Sequence, residues 1–352
     1  MTPIMRILLL PISFLYSIVL KIRHELYDWH VLQATRFERP VICVGNLNLG
    51  GTGKTPTVEY LINMLRPKYR VATLSRGYGR KTKGFLFAEK SSTYEDLGDE
   101  PMQYATKFPD IQVAVDEDRA DGVRKLLKSE FYPEAILLDD AFQHRKIKAG
   151  LNILLTEYEH LYTDDFLFPT GSLRDVKSAA RRVHLIVVSK SPKILSEAEK
   201  QQIIKKLKPT AEQQVFFSYI EYETLKPLNE AAKNLNLENV TSVLLFCGIA
   251  HPKPLVDELS KRFQTVETLA FADHHPYDEK EIKSIVQRYE TMEGGKIIVT
   301  TEKDAARLTN SAYLCQFETK PLFAVPIRVR FLEEEKFNEA ILKYVREDLI
   351  YN

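Results

Sequence analysis

The stretch VGNLNLGGTGKTPTVEYL, residues 44–61, sets glycines, a lysine and a threonine at a spacing that suits phosphate. In such a loop, backbone N–H groups face phosphate oxygens and the glycines let the chain come close. Lys54 would reach the terminal phosphates, and the Thr55 hydroxyl would bind Mg²⁺. The usual pattern, G-x-x-x-x-G-K-[ST], calls for glycine where this chain has Asn48. Asparagine is among the residues that visit positive φ, and Gly50 and Gly51 add freedom beside it. Asn48, Leu49, Gly50, Gly51, Thr52, Gly53, Lys54 and Thr55 are therefore expected to hold a nucleoside triphosphate. A structural turn with a chance GKT is the plainer alternative.

A second half-site lies downstream. AILLDD, residues 135–140, is an apolar run ending in two carboxylates. An acid at the end of a strand beside a phosphate loop holds Mg²⁺, and Asp139 and Asp140 are the candidates. Capping of a following helix would place acids there too.

Both half-sites need a parallel sheet behind them. PVICVG (residues 40–45) reads as a buried strand before the loop, and Val58, Leu61, Ile62 and Leu65 recur at helical spacing after it. Pro56 falls in the first turn of that helix, where proline is tolerated. Apolar runs at 70–75, 111–115, 134–139, 151–156 and 184–189 alternate with helical or loop segments. The pattern predicts α/β architecture, a parallel sheet with helices on both faces. Past residue 212 an extended run appears, then a second α/β series at 242–248, 266–271 and 296–301, then another extended run at 321–331. The expected organisation is a membrane-associating helix over 1–30 and a kinase-type domain over 31–212. A smaller lobe over 225–322 follows, joined by linker strands at 213–224 and 323–330, with the site in the cleft between lobes. A last helix in 331–352, with Phe337, Ile341 and Val345 on one face, is expected to pack back on the first lobe.

The formal net charge of +1 gives no global field favouring nucleic acid, so none is expected as a partner. Cys43, Cys247 and Cys315 lie far apart, without metal-ligand spacing and too few for a disulfide framework. Residues 7–20, ILLLPISFLYSIVL, carry no charge and are flanked by Arg6, Lys21 and Arg23. Fourteen apolar residues are short of the ~20 a span requires, and Pro11 weakens a single straight helix. The reading preferred here is a helix resting in a membrane interface; a buried helix is the alternative.

Six ordered blocks then point to a family. VGNLNLGGTGKTP, SRGYGR, GDEP, DDAFQHR, FADHH and TTEKDAARL, starting at residues 44, 75, 98, 139, 271 and 300, follow the order seen in tetraacyldisaccharide 4′-kinases. The chain resembles that family over most of its length, and the family's own loop is of the GNLxxGGxGKT kind. The resemblance implies transfer of the ATP γ-phosphate, with Mg²⁺, to the 4′-hydroxyl of an acylated disaccharide 1-phosphate lipid. It implies action at the cytoplasmic face of the bacterial inner membrane, by an enzyme expected to be a monomer. Asp99 of GDEP resembles the family's proposed general base, Glu100 would orient the surrounding shell, and His274 would pair with Asp99 or with phosphate. His275 stands where relatives commonly differ.

Gln143 and His144 follow the acids closely enough to line the same cleft, as does Arg145; helix capping explains them equally. Arg76, Arg119 and Arg174 sit near expected strand ends and suit a substrate or transferring phosphate, because guanidinium matches phosphate oxygens in pairs. Arg181 and Arg182 form a basic pair that could face anionic lipid headgroups, with solvated surface charge the preferred reading. Thr301 and Asp304 have the spacing of a capping box. Two other classes stay open: a phosphate-loop ATPase or GTPase switch without a lipid acceptor, and a membrane scaffold on a degenerate nucleotide fold.

Overall fold

The computed structural model describes residues 3–273, 275–309 and 313–351. The chain divides into two compact units: Met1–Ser91 with Tyr104–Ile220 and Val329–Asn352, and Ser92–Gln103 with Glu221–Arg328.

The first unit is built on strands β1 (Val41–Asn46), β2 (Val71–Ser75), β3 (Leu86–Phe87), β4 (Gln112–Val115), β5 (Ala135–Asp139), β6 (Leu151–Glu157), β7 (Leu185–Ser189) and β8 (Gln214–Tyr222). Together with the returning strand β14 (Ile327–Phe331) they form one nine-stranded sheet in the order β14-β8-β7-β6-β1-β5-β2-β4-β3. The pairs from β8 through β4 are parallel. Parallel strands are covered on both faces, which is why their sequences read as unbroken apolar runs. Side chains alternate along each strand, and the core divides accordingly. Val41, Cys43, Ile136 and Leu138 join one cluster with Val123 and Leu126 of helix Arg119–Leu127. Ile42, Val44, Ala135 and Leu137 join the other with Val58, Leu61, Ile62 and Leu65 of helix Lys54–Leu65. Phe337, Ile341 and Val345 of the last helix, Glu334–Tyr351, are buried in that second cluster.

The N-terminal apolar stretch is one helix, Pro3–Asp28, with Pro11 inside it. It is longer than the apolar run alone suggests, and residues Met5–Asp28 are long and apolar enough to cross a membrane by length and composition. Ile7, Leu8, Phe14, Leu15 and Val19 are exposed. The other face is tied to the unit. Ser13 Oγ lies 2.7 Å from Thr170 Oγ1, the Tyr16 hydroxyl donates to the Arg174 carbonyl at 3.2 Å, and His24 Nε2 lies 2.6 Å from Asp175.

The second unit carries strands β9 (Lys226–Pro227), β10 (Ser242–Cys247), β11 (Thr265–Ala270), β12 (Lys296–Thr301) and β13 (Leu322–Val325), in the order β11-β10-β12-β13-β9. Two differences from the sequence reading concern this unit. Leu322–Val325 is not linker: it pairs in parallel with β12 as a strand of the smaller sheet. Residues Ser92–Gln103 belong to the second unit, not to the first domain. The physical reason is charge pairing with distant residues, described below.

Candidate active site

In the first unit the phosphate loop runs from the end of β1 into helix Lys54–Leu65. Gly53 caps that helix at φ 84°, and its carbonyl accepts from the Thr57 N–H at 3.1 Å and the Thr57 hydroxyl at 2.8 Å. Positive φ falls on Gly50 and Gly53, not on Asn48. Asn48 serves differently: its Nδ2 donates to Asp165 at 3.0 Å and Ser172 at 3.2 Å, fastening the loop to residues 165–173. Asn46 Nδ2 donates to Thr52 Oγ1 at 2.9 Å, and the Ser189 hydroxyl donates to the Thr52 carbonyl at 2.8 Å. The loop is thus braced by side chains and by two of its own N–H groups, Leu49 donating to the Ser172 carbonyl at 2.7 Å and Thr52 to the Gly50 carbonyl at 3.1 Å.

The two acids stand next to it because β1 and β5 pair in parallel, with Val44 opposite Asp139. Close approach is secured by Gly45, where a Cβ would lie 2.5 Å from the Cβ of Phe142. Asp139 is buried and accepts from the Tyr104 hydroxyl at 3.0 Å. Asp140 adopts φ 50°, and both its carboxylate oxygens accept from Arg174, one from Nη1 at 2.9 Å and the other from Nη2. Lys54 Nζ lies 3.8 Å from the same carboxylate. Burial pushes the Asp140 carboxyl up, but the Arg174 hydrogen bonds, Lys54 and Arg119 outweigh it and hold it below the usual range. Arg174 also bonds Asn46 Oδ1, and Gln143 Nε2 donates to the Asn46 carbonyl at 2.9 Å.

Arg119 is buried, with Nη1 on the Glu117 carbonyl at 2.8 Å and Nε without an acceptor among the described residues. Burial lowers its pKa, and the neighbouring charge of Arg76 lowers it further. Two guanidiniums that repel in this way form a place where an anion is favoured. His144 lies 3.6 Å from Asp118. Burial first, then Arg119, pulls His144 down to about 4, so it is neutral near pH 7. Among the described residues no group of three or more His, Cys, Asp or Glu could hold a metal by itself. That suits Mg²⁺, which takes one or two carboxylates and completes its shell with phosphate and water. Thr55 and Asp139 supply hard oxygen donors of the right kind.

In the second unit Asp99 and Glu100 open helix Asp99–Lys107, after Gly98 at φ 91°. The Asp99 carboxylate accepts from Arg307 Nε at 3.2 Å and from Nη2, while Arg307 Nη1 donates to Asp304 at 2.9 Å. Lys303 Nζ donates to Glu100 at 2.8 Å. Asp304 is fully buried: its N–H donates to the Thr301 hydroxyl oxygen at 3.1 Å, capping the helix, the same hydroxyl lies 2.6 Å from its carboxylate, and the Gly248 N–H donates to that carboxylate at 3.1 Å. Arg307 lies only 6% exposed between the two acids. These pairs are what draw Ser92–Gln103 to the second unit. His275 Nε2 lies 2.9 Å from the Glu281 carboxylate and its ring stacks on Phe271. His274 lies outside the described residues.

The sequence reading missed Arg307, Lys303, Asn46 and Tyr104. Arg307 and Lys303 were in view inside TTEKDAARL, and their cationic character beside the acids of GDEP was the available signal. Asn46 and Tyr104 had none.

A family model for tetraacyldisaccharide-1-P 4′-kinase matches residues 5–346, nearly the whole chain. The chain belongs to the tetraacyldisaccharide 4′-kinase family. The Flavobacterium johnsoniae tetraacyldisaccharide 4′-kinase is 46% identical over 350 residues, covering 98% of this chain and 99% of that protein. The Parabacteroides distasonis tetraacyldisaccharide 4′-kinase is 45% identical over 347 residues, covering 96% and 94%. Among solved structures, the "apo" form of LpxK from Aquifex aeolicus in complex with ATP matches with a TM-score of 0.73 at 30% identity, over 97% of this chain and 99% of that one. The fold of this tetraacyldisaccharide 4′-kinase family member, a phosphate-loop α/β protein with a second α/β unit, accords with that match.

Proposed function

We propose that the chain transfers the γ-phosphate of Mg·ATP to the 4′-hydroxyl of a tetraacyldisaccharide 1-phosphate, a step of lipid A biosynthesis. One observation carries the reading. Lys54 stands at the start of a helix capped by a left-handed glycine, with two acids on the adjacent parallel strand. That arrangement meets the needs of phosphoryl transfer, which is chiefly positioning and neutralisation of charge.

The residue roles follow from chemistry. Backbone N–H groups of residues 48–55 cradle phosphate, and Lys54 offsets charge on the β- and γ-phosphates. Mg²⁺, when bound, neutralises developing charge; Thr55 and Asp139 would hold it, with Asp140 kept beside Lys54 by Arg174. Asp99 takes the proton from the attacking hydroxyl, assisted by His274, and Glu100 and Lys303 steady that helix end. Arg76 and Arg119 receive a phosphate of the substrate, and Gln143 and His144 line the acceptor side. The enzyme acts as a monomer at the cytoplasmic face of the inner membrane, where its lipid resides; the exposed apolar face of helix Pro3–Asp28 supports the membrane contact alone.

The test is incubation of purified protein with γ-labelled ATP, Mg²⁺ and tetraacyldisaccharide 1-phosphate in mixed micelles. Label is expected at the 4′ position, and Lys54→Ala is expected to lower transfer by orders of magnitude while the protein stays folded. Release of inorganic phosphate with no label in the lipid would instead indicate a nucleotide-driven switch.

A further inference from the structure

Away from the phosphate loop, the first unit holds a cavity of about 650 Å³, a size typical of small-molecule sites. Cys43, Leu138 and Phe142 line it from the sheet, and Tyr27, Asp28 and His30 line it from the end of the N-terminal helix. Its ionic lining is unbalanced. Arg36, Arg145, Lys148 and Arg182 face one carboxylate, Asp28, which Arg145 already binds at 2.6 Å. Arg36 reaches Asp348 at 3.5 Å.

Arg182 is short of hydrogen-bond acceptors. Its Nε and Nη2 are buried without a hydrogen-bond acceptor among the described residues. Nη2 forms an ion pair with Asp175 Oδ2 at 3.5 Å, without hydrogen-bond geometry; the other oxygen, Oδ1, engages His24 and the Val176 N–H. The Arg182 guanidinium lies over the Phe142 ring at 4.4 Å, which covers one face. Burial, with Arg145 adding repulsion, lowers Arg182 to about 10. A buried guanidinium short of acceptors in a cationic cavity is stabilised by an anion. His184 adds a donor. Its Nδ1 accepts from the Asn152 N–H at 2.9 Å, so in the neutral ring the proton sits on Nε2. Burial lowers the His184 pKa and favours that neutral ring.

We propose that this cavity is a second anion site, binding a phosphate group through the Arg182 guanidinium, the His184 Nε2–H and the Lys148 ammonium. Two sources share that chemistry. Trp29, Val31 and Leu32, adjacent in sequence to the lining residues Asp28 and His30, are exposed and apolar, so an anionic phospholipid headgroup is one source of that phosphate. Free phosphate or a soluble phosphate ester is the other.

Calorimetric titration of inorganic phosphate into full-length protein in detergent, with the phosphate loop filled by Mg²⁺ and a non-hydrolysable ATP analogue, isolates the site. Arg182→Gln and Lys148→Glu are each expected to weaken binding about 10- to 100-fold, the scale for losing a charged hydrogen-bond partner. Lys148 is exposed, so its variant reads the site even if Arg182→Gln fails to fold. Flotation with phosphatidylcholine vesicles, with and without phosphatidylglycerol, separates the sources. A phosphatidylglycerol preference lost in both Arg182→Lys, which keeps charge but not the fork, and Lys148→Glu assigns the headgroup. Variant-sensitive phosphate binding without that preference assigns a soluble anion. The proposal is overturned if wild-type protein neither binds phosphate nor prefers phosphatidylglycerol. It is equally overturned if the folded variants behave as wild type in both arms, or if Lys148→Glu alters vesicle binding while Arg182→Lys alters nothing.

Discussion

Arg307 offers a sharp test of how the second unit is held together. It is buried between Asp99 and Asp304, and bonds both carboxylates. Arg307→Met keeps the stem but removes the charge, leaving two acids without it. Removing one partner of a buried pair costs about 3–5 kcal/mol. Asp304 retains the Thr301 hydroxyl and the Gly248 N–H, so the lower end applies, about 3 kcal/mol. At 1.4 kcal/mol per decade that is about a hundredfold rise in local opening. The chain has one tryptophan, Trp29, in the first unit, so fluorescence does not report on this region. Amide hydrogen exchange does: protection across Lys296–Thr301 and the helix Glu302–Thr309 should fall by about two decades, with β1 and β5 unaffected. Asp99→Asn placed on Arg307→Met removes the stranded charge and should restore part of the loss. Unchanged protection in Arg307→Met, or strictly additive effects in the double variant, would refute the reasoning.

Three further outcomes are expected. Because His144 is lowered to about 4 in the folded chain against 6.5 in the unfolded one, protonation favours unfolding; its contribution is intact above pH 6.5 and lost as pH falls towards 4. His144→Gln should flatten the stability–pH curve in that window, and parallel curves for both proteins would contradict the assignment. Leu8 and Leu15, 71% and 63% exposed, contribute nothing to the folded core, so Leu8→Glu with Leu15→Glu should release protein from membranes at unchanged melting temperature; retention on floated membranes rules out this face as the contact. Asp139→Asn should weaken Mg²⁺-dependent transfer by orders of magnitude, with excess Mg²⁺ restoring part of it; normal Mg²⁺ dependence in a folded variant would remove Asp139 from the metal site.

The strands of both sheets were legible where the chain is buried on both faces, since β1, β2, β5, β6 and β7 are continuous apolar runs. Leu86–Phe87 was not, because two residues paired antiparallel with β4 carry no period. Leu322–Val325 was merged with the strand after it because one apolar run serves two sheets. That the loop and the acids at the end of β5 lie side by side was legible, since β1 and β5 pair in parallel with Val44 opposite Asp139. The account of Asn48 failed because its role rests on Asp165 and Ser172, more than a hundred residues away. The pairing of Asp99 with Arg307, 208 positions apart, was hidden for the same reason: local pattern carries no information on which distant charges meet.

The N-terminal helix is clamped to the chemistry as well as to the unit. Arg23 donates to the Gln143 carbonyl and Arg145 to the His24 carbonyl, so the helix grips the segment that follows Asp139 and Asp140. Tyr16 holds the carbonyl of Arg174, whose side chain holds Asp140. A tether on a flexible stalk would let the catalytic groups wander in height above a bilayer. Here the apolar face and the acids belong to one unit, so on the membrane docking proposed above the helix would act as a depth gauge, setting the reacting phosphate at one level. On that proposal, lipids whose hydroxyl rides higher or lower in the headgroup layer would be discriminated by elevation, before any contact with the sugar is made.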